Sequence, residues 1–184
     1  MKDLSLYMLD QTQNYIRAGA TRMIIEVDAQ PETDKLSFSL EDNGSGMDEA
    51  TVERVQNPFY TTRTTRKVGL GIPLFKEGAE QAGGEFSLWS KLGVGTVIKG
   101  SYRLSHLDRP PMGDLAGSVL TLVMANPELD FSVTFRWGEE AFLFDTVQIR
   151  QELDGVPLDI PEVQAWMKEY IYEGVNALFG GNIL

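Results

Sequence analysis

The sequence predicts an α+β two-layer sandwich, with helices packed on one face of a sheet whose strands are mostly joined by hairpins. Three observations carry that expectation. Leu36, Phe38 and Leu40 alternate with Ser37, Ser39 and Glu41, the period-two pattern of a half-buried strand. The apolar run Arg22-Met23-Ile24-Ile25-Glu26-Val27-Asp28 comes just before it, separated only by the turn residues Gln30-Pro31-Glu32-Thr33-Asp34, so the two runs read as an antiparallel hairpin. A second pair of apolar runs is joined by Gly93-Val94-Gly95 rather than by a helix, which speaks against a doubly wound parallel sheet.

The remaining elements follow in chain order. Residues 3–19 contain no proline and no internal glycine and end at Gly19, as a helix should. Asp48 caps a short helix running to about Gln56, with acidic residues in its first turn. Residues 57–68 are irregular and rich in Thr and Arg. A helix is expected over 73–82, with Pro73 near its first turn and Gly83-Gly84 beyond its end. Residues 85–90 and 96–103 are the second pair of strands. Residues 114–125 read as an apolar helix, with strand the alternative. Phe131, Val133, Phe135 and Trp137 share one strand face, and 140–146 return as a hairpin partner carrying Phe142 and Phe144. Residues 147–153 read as one or two helical turns, and 160–179 as a helix with a wide apolar stripe: Val163, Trp166, Met167, Tyr170, Ile171, Gly174, Val175 and Leu178. That stripe suits either a core face or a docking surface.

Composition narrows the function. Of 184 residues, 42% are apolar, enough for an ordinary core. No apolar run is long enough to span a bilayer, and the N-terminus lacks the pattern of a signal peptide, so the expected setting is cytoplasmic. With no cysteine, disulfides and zinc–thiolate sites are excluded, and any histidine chemistry must run through His106. The net charge of −11 argues against nucleic-acid binding. It is unevenly spread: residues 1–104 hold 12 basic and 14 acidic residues, residues 105–184 hold 4 and 13. This break and the stretch Ser105-His106-Leu107-Asp108-Arg109-Pro110-Pro111-Met112-Gly113 divide the chain into 1–104, a linker 105–113, and an acidic α+β region 114–184.

Four short elements carry chemistry. Asp10 and Asn14, four apart on the first helix, suit a hard cation and an activated water, or form a solvated polar face. Asp42-Asn43-Gly44-Ser45-Gly46-Met47 follows a strand; its glycines permit close approach of a ligand and Asp42 can accept an amino hydrogen, or the whole is a glycine-rich turn. Arg63, Arg66 and Lys67 precede Gly69-Leu70-Gly71 and a helix N-terminus, a combination suited to phosphate, or a surface loop. Gly93-Val94-Gly95-Thr96 alone is a hairpin turn.

In order and spacing the four together resemble the ATP-binding domain of the GHKL superfamily (Bergerat fold). Asp10 to Asn14 with Ala18-Gly19-Ala20-Thr21-Arg22 is similar to the N box, most like its MutL version. Asp42-x-Gly44-x-Gly46-Met47 is similar to the G1 box, Asn57-Pro58-Phe59-Tyr60-Thr61-Thr62-Arg63 to the histidine-kinase F box, Val68-Gly69-Leu70-Gly71-Ile72 to G2, and Ser90-x-x-Gly93-x-Gly95-Thr96 to the last kinase box. The resemblance spans about residues 3–103.

It implies roles. Asn14 would bind the Mg²⁺ that bridges the phosphates of ATP, and Asp10 would act as general base. Asp42 would accept the adenine amino hydrogen, assisted by Thr96 through a water. Gly44, Gly46 and Met47 would wall the adenine. Arg63, Arg66 and Lys67 would lie along the polyphosphate, with Gly69, Leu70 and Gly71 offering backbone N–H groups. Three departures stand out: Asp10 replaces the Glu of hydrolytic members, Lys67 stands where G2 has a further glycine, and the lid between F box and G2 is short. The boxes begin almost at Met1, and the sole histidine follows them, so the usual phosphoacceptor hairpin is not expected. The implied protein is a stand-alone histidine-kinase-like ATPase or kinase that regulates a protein partner docked on the C-terminal region, or a nucleotide-dependent binding module without turnover. No membrane or nucleic-acid partner is expected, and a homodimer is allowed.

Overall fold

The computed structural model describes residues 3–57 and 71–180. Helix α1 (Leu4–Arg17) starts where the Asp3 side chain accepts the Leu6 N–H at 2.8 Å and ends before Gly19, whose φ is +76°. Strands β1 (Arg22–Gln30) and β2 (Lys35–Asp42) form the expected hairpin around a 3₁₀ turn at Pro31–Thr33. Helix α2 (Glu49–Val55) is capped by Asp48. Helix α3 (Gly71–Gln81) takes in the expected helix from Pro73. Strands β3 (Phe86–Lys91) and β4 (Gly95–Arg103) form the second hairpin. Helix α4 (Leu115–Ala125), the β5 (Asp130–Trp137) and β6 (Glu140–Asp145) hairpin, α5 (Thr146–Glu152) and α6 (Pro161–Phe179) complete the chain, and residues 115–125 take the helical alternative.

All the strands among the described residues belong to one sheet of order β3-β4-β2-β1-β5-β6. Every pairing is antiparallel except β1 with β5, which runs parallel. Period two decides the layers. Met23, Ile25, Val27 and Ala29 of β1, Leu36, Phe38 and Leu40 of β2, and Phe131, Val133 and Phe135 of β5 are buried. Their alternates, among them Glu26, Ser39 and Arg136, face the other way and stay partly or fully exposed. The helices pack on the apolar side: α1 lies between α3 and α4, and α6 crosses β5 and β6. Phe75 of α3, fully buried, stacks on Tyr7 with ring centroids 4.2 Å apart and meets Phe38, Phe86 and Tyr102 edge-on, which fixes α3 against α1 and the sheet. The result is the two-layer α+β sandwich that the sequence predicts.

The stretch 105–113 runs past the start of α1. The carbonyls of Pro111 and Met112 accept the N–H groups of Leu4 and Ser5 at 2.9 and 3.0 Å, and Met112 is buried. His106 takes part in a local turn, its Nδ1 accepting the Asp108 N–H at 3.2 Å. Beyond it the chain adds β5 directly beside β1, so one sheet carries both the near-neutral and the acidic portions.

Candidate functional site

The candidate site forms where the ends of β2, β3 and β4 meet the C-terminal turn of α1. Asp42 is the last residue of β2 and Thr96 sits opposite it in the register of β4, while Ser90 of β3 pairs with Thr96 from the other side. Asp42 and Thr96 are both buried. Asp42 Oδ1 accepts the Gly44 N–H at 2.6 Å. Its Oδ2 is buried and has no hydrogen-bond partner among the described residues. Burial pushes the Asp42 carboxyl above its ordinary range, against the opposing pull of the Gly44 and Thr96 N–H groups. The phenol of Tyr15, also buried and without a hydrogen-bond partner among the described residues, has its pKa raised by burial and further by the nearby Asp42 charge.

Ser90 joins the pieces. Its Oγ accepts the Met47 N–H at 2.8 Å, donates to the Gly95 carbonyl at 2.9 Å, and lies 2.9 Å from Thr96 Oγ1. The loop after β2 is tied on both sides: the Ser45 N–H donates to the Ala18 carbonyl at 2.9 Å and the Gly93 N–H to the Ser45 carbonyl at 2.7 Å. Asn43 Oδ1 accepts the N–H groups of Thr21 and Arg22, both at 2.9 Å, and its amide donates to Thr21 Oγ1. Two glycines are required here. Gly46 has φ +65° and a Cβ on it would strike the Lys91 carbonyl; Gly95 has φ +137° and a Cβ would strike the Asp42 carbonyl.

Asp10 and Asn14 lie on α1 with Gln11 between them. The Gln11 amide donates to Asp10 Oδ2 at 3.3 Å, and the Asn14 amide donates to Gln11 Oε1 at 3.4 Å. Asp10 is exposed and Asn14 half-buried. Gly71, the first residue of α3, comes against this cluster: a Cβ on it would lie 3.2 Å from Asp10 Oδ2 and collide with the Gln11 amide. The structure therefore brings Asp42, Gly44, Gly46, Met47 and Thr96 together, and brings Asp10 beside Gly71. Arg63, Arg66, Lys67, Gly69 and Leu70, with all of the F box after Asn57, lie outside the described residues.

Gln11, Tyr15 and Asn43 have no role among the sequence expectations, and Ser90 enters them only as a motif position. The signal for Ser90 was present, because a hairpin tightened at Gly93 and Gly95 sets it across from Thr96. Tyr15 carries no motif and Asn43 is only an unassigned position within the element 42–47; their roles come from tertiary contacts.

A helix-backed, mainly antiparallel sheet, with a buried half-satisfied carboxylate at a strand end and glycine-held loops around it, defines a GHKL-type ATPase domain. Residues 3–106 match the family of histidine kinase-, DNA gyrase B- and HSP90-like ATPases, and the chain belongs to that family. A putative sensor protein of Shewanella frigidimarina is 33% identical over 109 residues, covering 58% of this chain and 17% of the relative. The sensor protein kinase FleS of Pseudomonas aeruginosa is 40% identical over 58 residues, covering 32% of this chain and 14% of that protein. The chain thus matches less than a fifth of the length of these relatives. Among solved structures, the N-terminal domain of a DNA repair protein is similar in fold, with TM-score 0.51 at 16% identity, over 79% of this chain and 52% of that one. That coverage exceeds the family match, so the likeness in fold takes in part of the region after residue 106.

Proposed function

We propose that the site around Asp42 binds ATP with Mg²⁺, and that the chain uses the nucleotide, as a kinase or ATPase, to regulate a protein partner in a cytoplasmic setting. The observation that carries this reading is the Oδ2 of buried Asp42, which has no partner among the described residues. A buried carboxylate oxygen without a donor is costly unless a ligand supplies one. Adenine presents an amino donor beside a ring-nitrogen acceptor, which suits Asp42 with the Thr96 hydroxyl alongside. Guanine presents a carbonyl oxygen in that place and would be repelled. The glycines support the fit, because a Cβ at Gly44 would lie 2.7 Å from Asp42 Oδ1 and crowd the carboxylate.

Asn14 would hold Mg²⁺, which takes few protein ligands and completes its shell with water and phosphate oxygens. The ion would neutralise phosphate charge; Gly71 and the cations Arg63, Arg66 and Lys67 would receive the polyphosphate. Asp10 would act as the base where water attacks.

Titration with a fluorescent ATP analogue, with and without Mg²⁺, tests the assignment. Saturable binding weakened by Asp42→Asn is expected; no binding, or binding indifferent to that change, overturns it. One observation favours a second reading, binding without turnover: Asp10 is a methylene shorter than Glu, and Gln11 already donates to its carboxylate. Release of labelled phosphate separates the two, since wild type and Asp10→Asn at the same negligible rate would leave Asp10 no role as a base.

A further inference from the structure

Helix α6 presents a face that the rest of the described chain covers only in part. Val163, Met167, Ile171 and Leu178 turn into the core. Trp166 and Tyr170, one turn apart, remain 42% and 38% exposed. Their rings stack, with centroids 5.3 Å apart and planes 7° from parallel. Tyr170 also meets Phe142 of β6 edge-on at 5.2 Å, and its hydroxyl donates to the Leu143 carbonyl at 3.5 Å. The aromatic pair is thereby fixed beside the outermost strand of the sheet. Glu162, Glu169 and Glu173 are exposed and lie four, three and seven residues from Trp166, helical spacings that put them on its side of the helix. Lys168, two residues from Trp166, points to another side of the helix.

We propose that this face is the docking surface for a basic, arginine-containing segment of a protein partner. A fixed aromatic pair offers contact area at little cost in side-chain entropy, and a guanidinium stacks on such rings while its N–H groups engage carboxylates beside them. Charge selects the occupant. Residues 105–184 carry 13 acidic groups against 4 basic ones, so an acidic partner is repelled. A second copy of the chain docking through the same face would set these glutamates against their own images across a two-fold axis. The inference does not depend on the nucleotide reading.

The test uses the full chain and a dye-labelled peptide of Arg and Leu at helical spacing, followed by fluorescence anisotropy at low and high salt. Binding that weakens with salt is expected. Trp166→Ala should weaken it about 30-fold, as for an aromatic hot spot. Glu169→Lys with Glu173→Lys should weaken it by more than about tenfold. Glu53→Lys with Glu85→Lys makes the same change in net charge near β3, the opposite edge of the sheet, and should shift binding by less than about threefold, as a long-range charge effect. All are surface changes, and unchanged thermal unfolding verifies folding. The proposal is overturned if the peptide does not bind, if a Glu-for-Arg peptide binds as well, or if the control pair weakens binding as much as the α6 pair. A dimer in sedimentation that Trp166→Ala dissociates would also overturn it, assigning the face to a second copy.

Discussion

Replacing Asp42 by Asn should make the protein more stable and a poorer nucleotide binder at once. Asn keeps Oδ1, so the 2.6 Å bond from the Gly44 N–H survives. What changes is the buried second oxygen, which has no donor among the described residues and becomes a neutral NH₂ group. An unpaired buried polar group costs about 1–3 kcal/mol, and more when charged. Exchanging an unpaired charge for an unpaired amide should therefore gain about 1 kcal/mol, or about 2–4 °C in Tm for a chain of this size. Binding moves the opposite way. The amide offers hydrogens to an amino group that also offers hydrogens, and the lost charge-assisted bond, about 1.5–3 kcal/mol, corresponds to about 10- to 150-fold in Kd.

The pH dependence has a definite sign. Burial raises the folded-state pKa of Asp42 above its unfolded value, so the folded state binds the proton more tightly. Its ionised carboxylate therefore destabilises the fold at neutral pH. That penalty is relieved as pH falls through the folded pKa toward the ordinary aspartate value, about 4. The advantage of Asn over Asp should be full at neutral pH and shrink in acid. Thermal unfolding of both proteins across pH, with nucleotide titration at neutral pH, checks all of this. A variant less stable than wild type at neutral pH, or one with unaltered ATP affinity, would refute the reasoning.

Three further changes test the scaffold of the site. Gly95→Ala should cost about 2 kcal/mol or more, since φ is +137° and the Asp42 carbonyl blocks the Cβ; Gly93→Ala, at φ +75° with open space around it, should cost only about 1 kcal/mol, a contrast readable in denaturant melts. Ser90→Ala removes the acceptor for the Met47 N–H and the neighbour of Thr96 Oγ1, and should lower stability by about 1–2 kcal/mol and weaken ATP-analogue binding in the same titration. Arg150→Met strips donors from Asp130 and from the carbonyls of Pro127 and Leu129, which it bonds at 2.6, 2.7 and 2.8 Å, and should cost about 2–3 kcal/mol in urea unfolding without moving nucleotide affinity.

What could be read from the sequence depended on range. Period two at residues 36–41 specifies both a strand and its buried face, and those alternate residues are the ones that face the helices. The same locality makes Asp42, Gly44, Gly46 and Thr96 legible, because each sits at a strand end or turn. The pairing of β5 with β1 is a different matter. The two strands lie far apart in the chain, and no local pattern states which strands will be neighbours. The apolar stripe of α6 fails for a geometric reason: it is wider than the arc one sheet can cover, so its central residues are buried while Trp166 and Tyr170, at the margin, stay exposed. Ser90 belongs between these cases, a motif position whose function follows only from the register of β3 with β4.

The bonding around Asp42 divides into two kinds, and the division is informative. The groups that set the shape of the loop are satisfied: Asn43 holds the start of β1, Ser45 bridges Ala18 and Gly93, and Ser90 gathers Met47, Gly95 and Thr96. Thr21, held by Asn43, in turn accepts the Asp130 N–H through its carbonyl, so the entry to β5 is anchored on the same frame. Among the described residues, the carboxylate oxygen at the strand end and the nearby Tyr15 hydroxyl are left without partners. A fold that ties the loop after β2 on both sides and leaves a buried acceptor without a donor among the described residues keeps a standing cost of folding, which a donor from a ligand would remove. Ligand binding and folding are then coupled through a single atom. Stability should rise with ligand concentration as RT ln(1 + [L]/Kd), and the Asn variant, already relieved of the charge, should gain less from the same ligand.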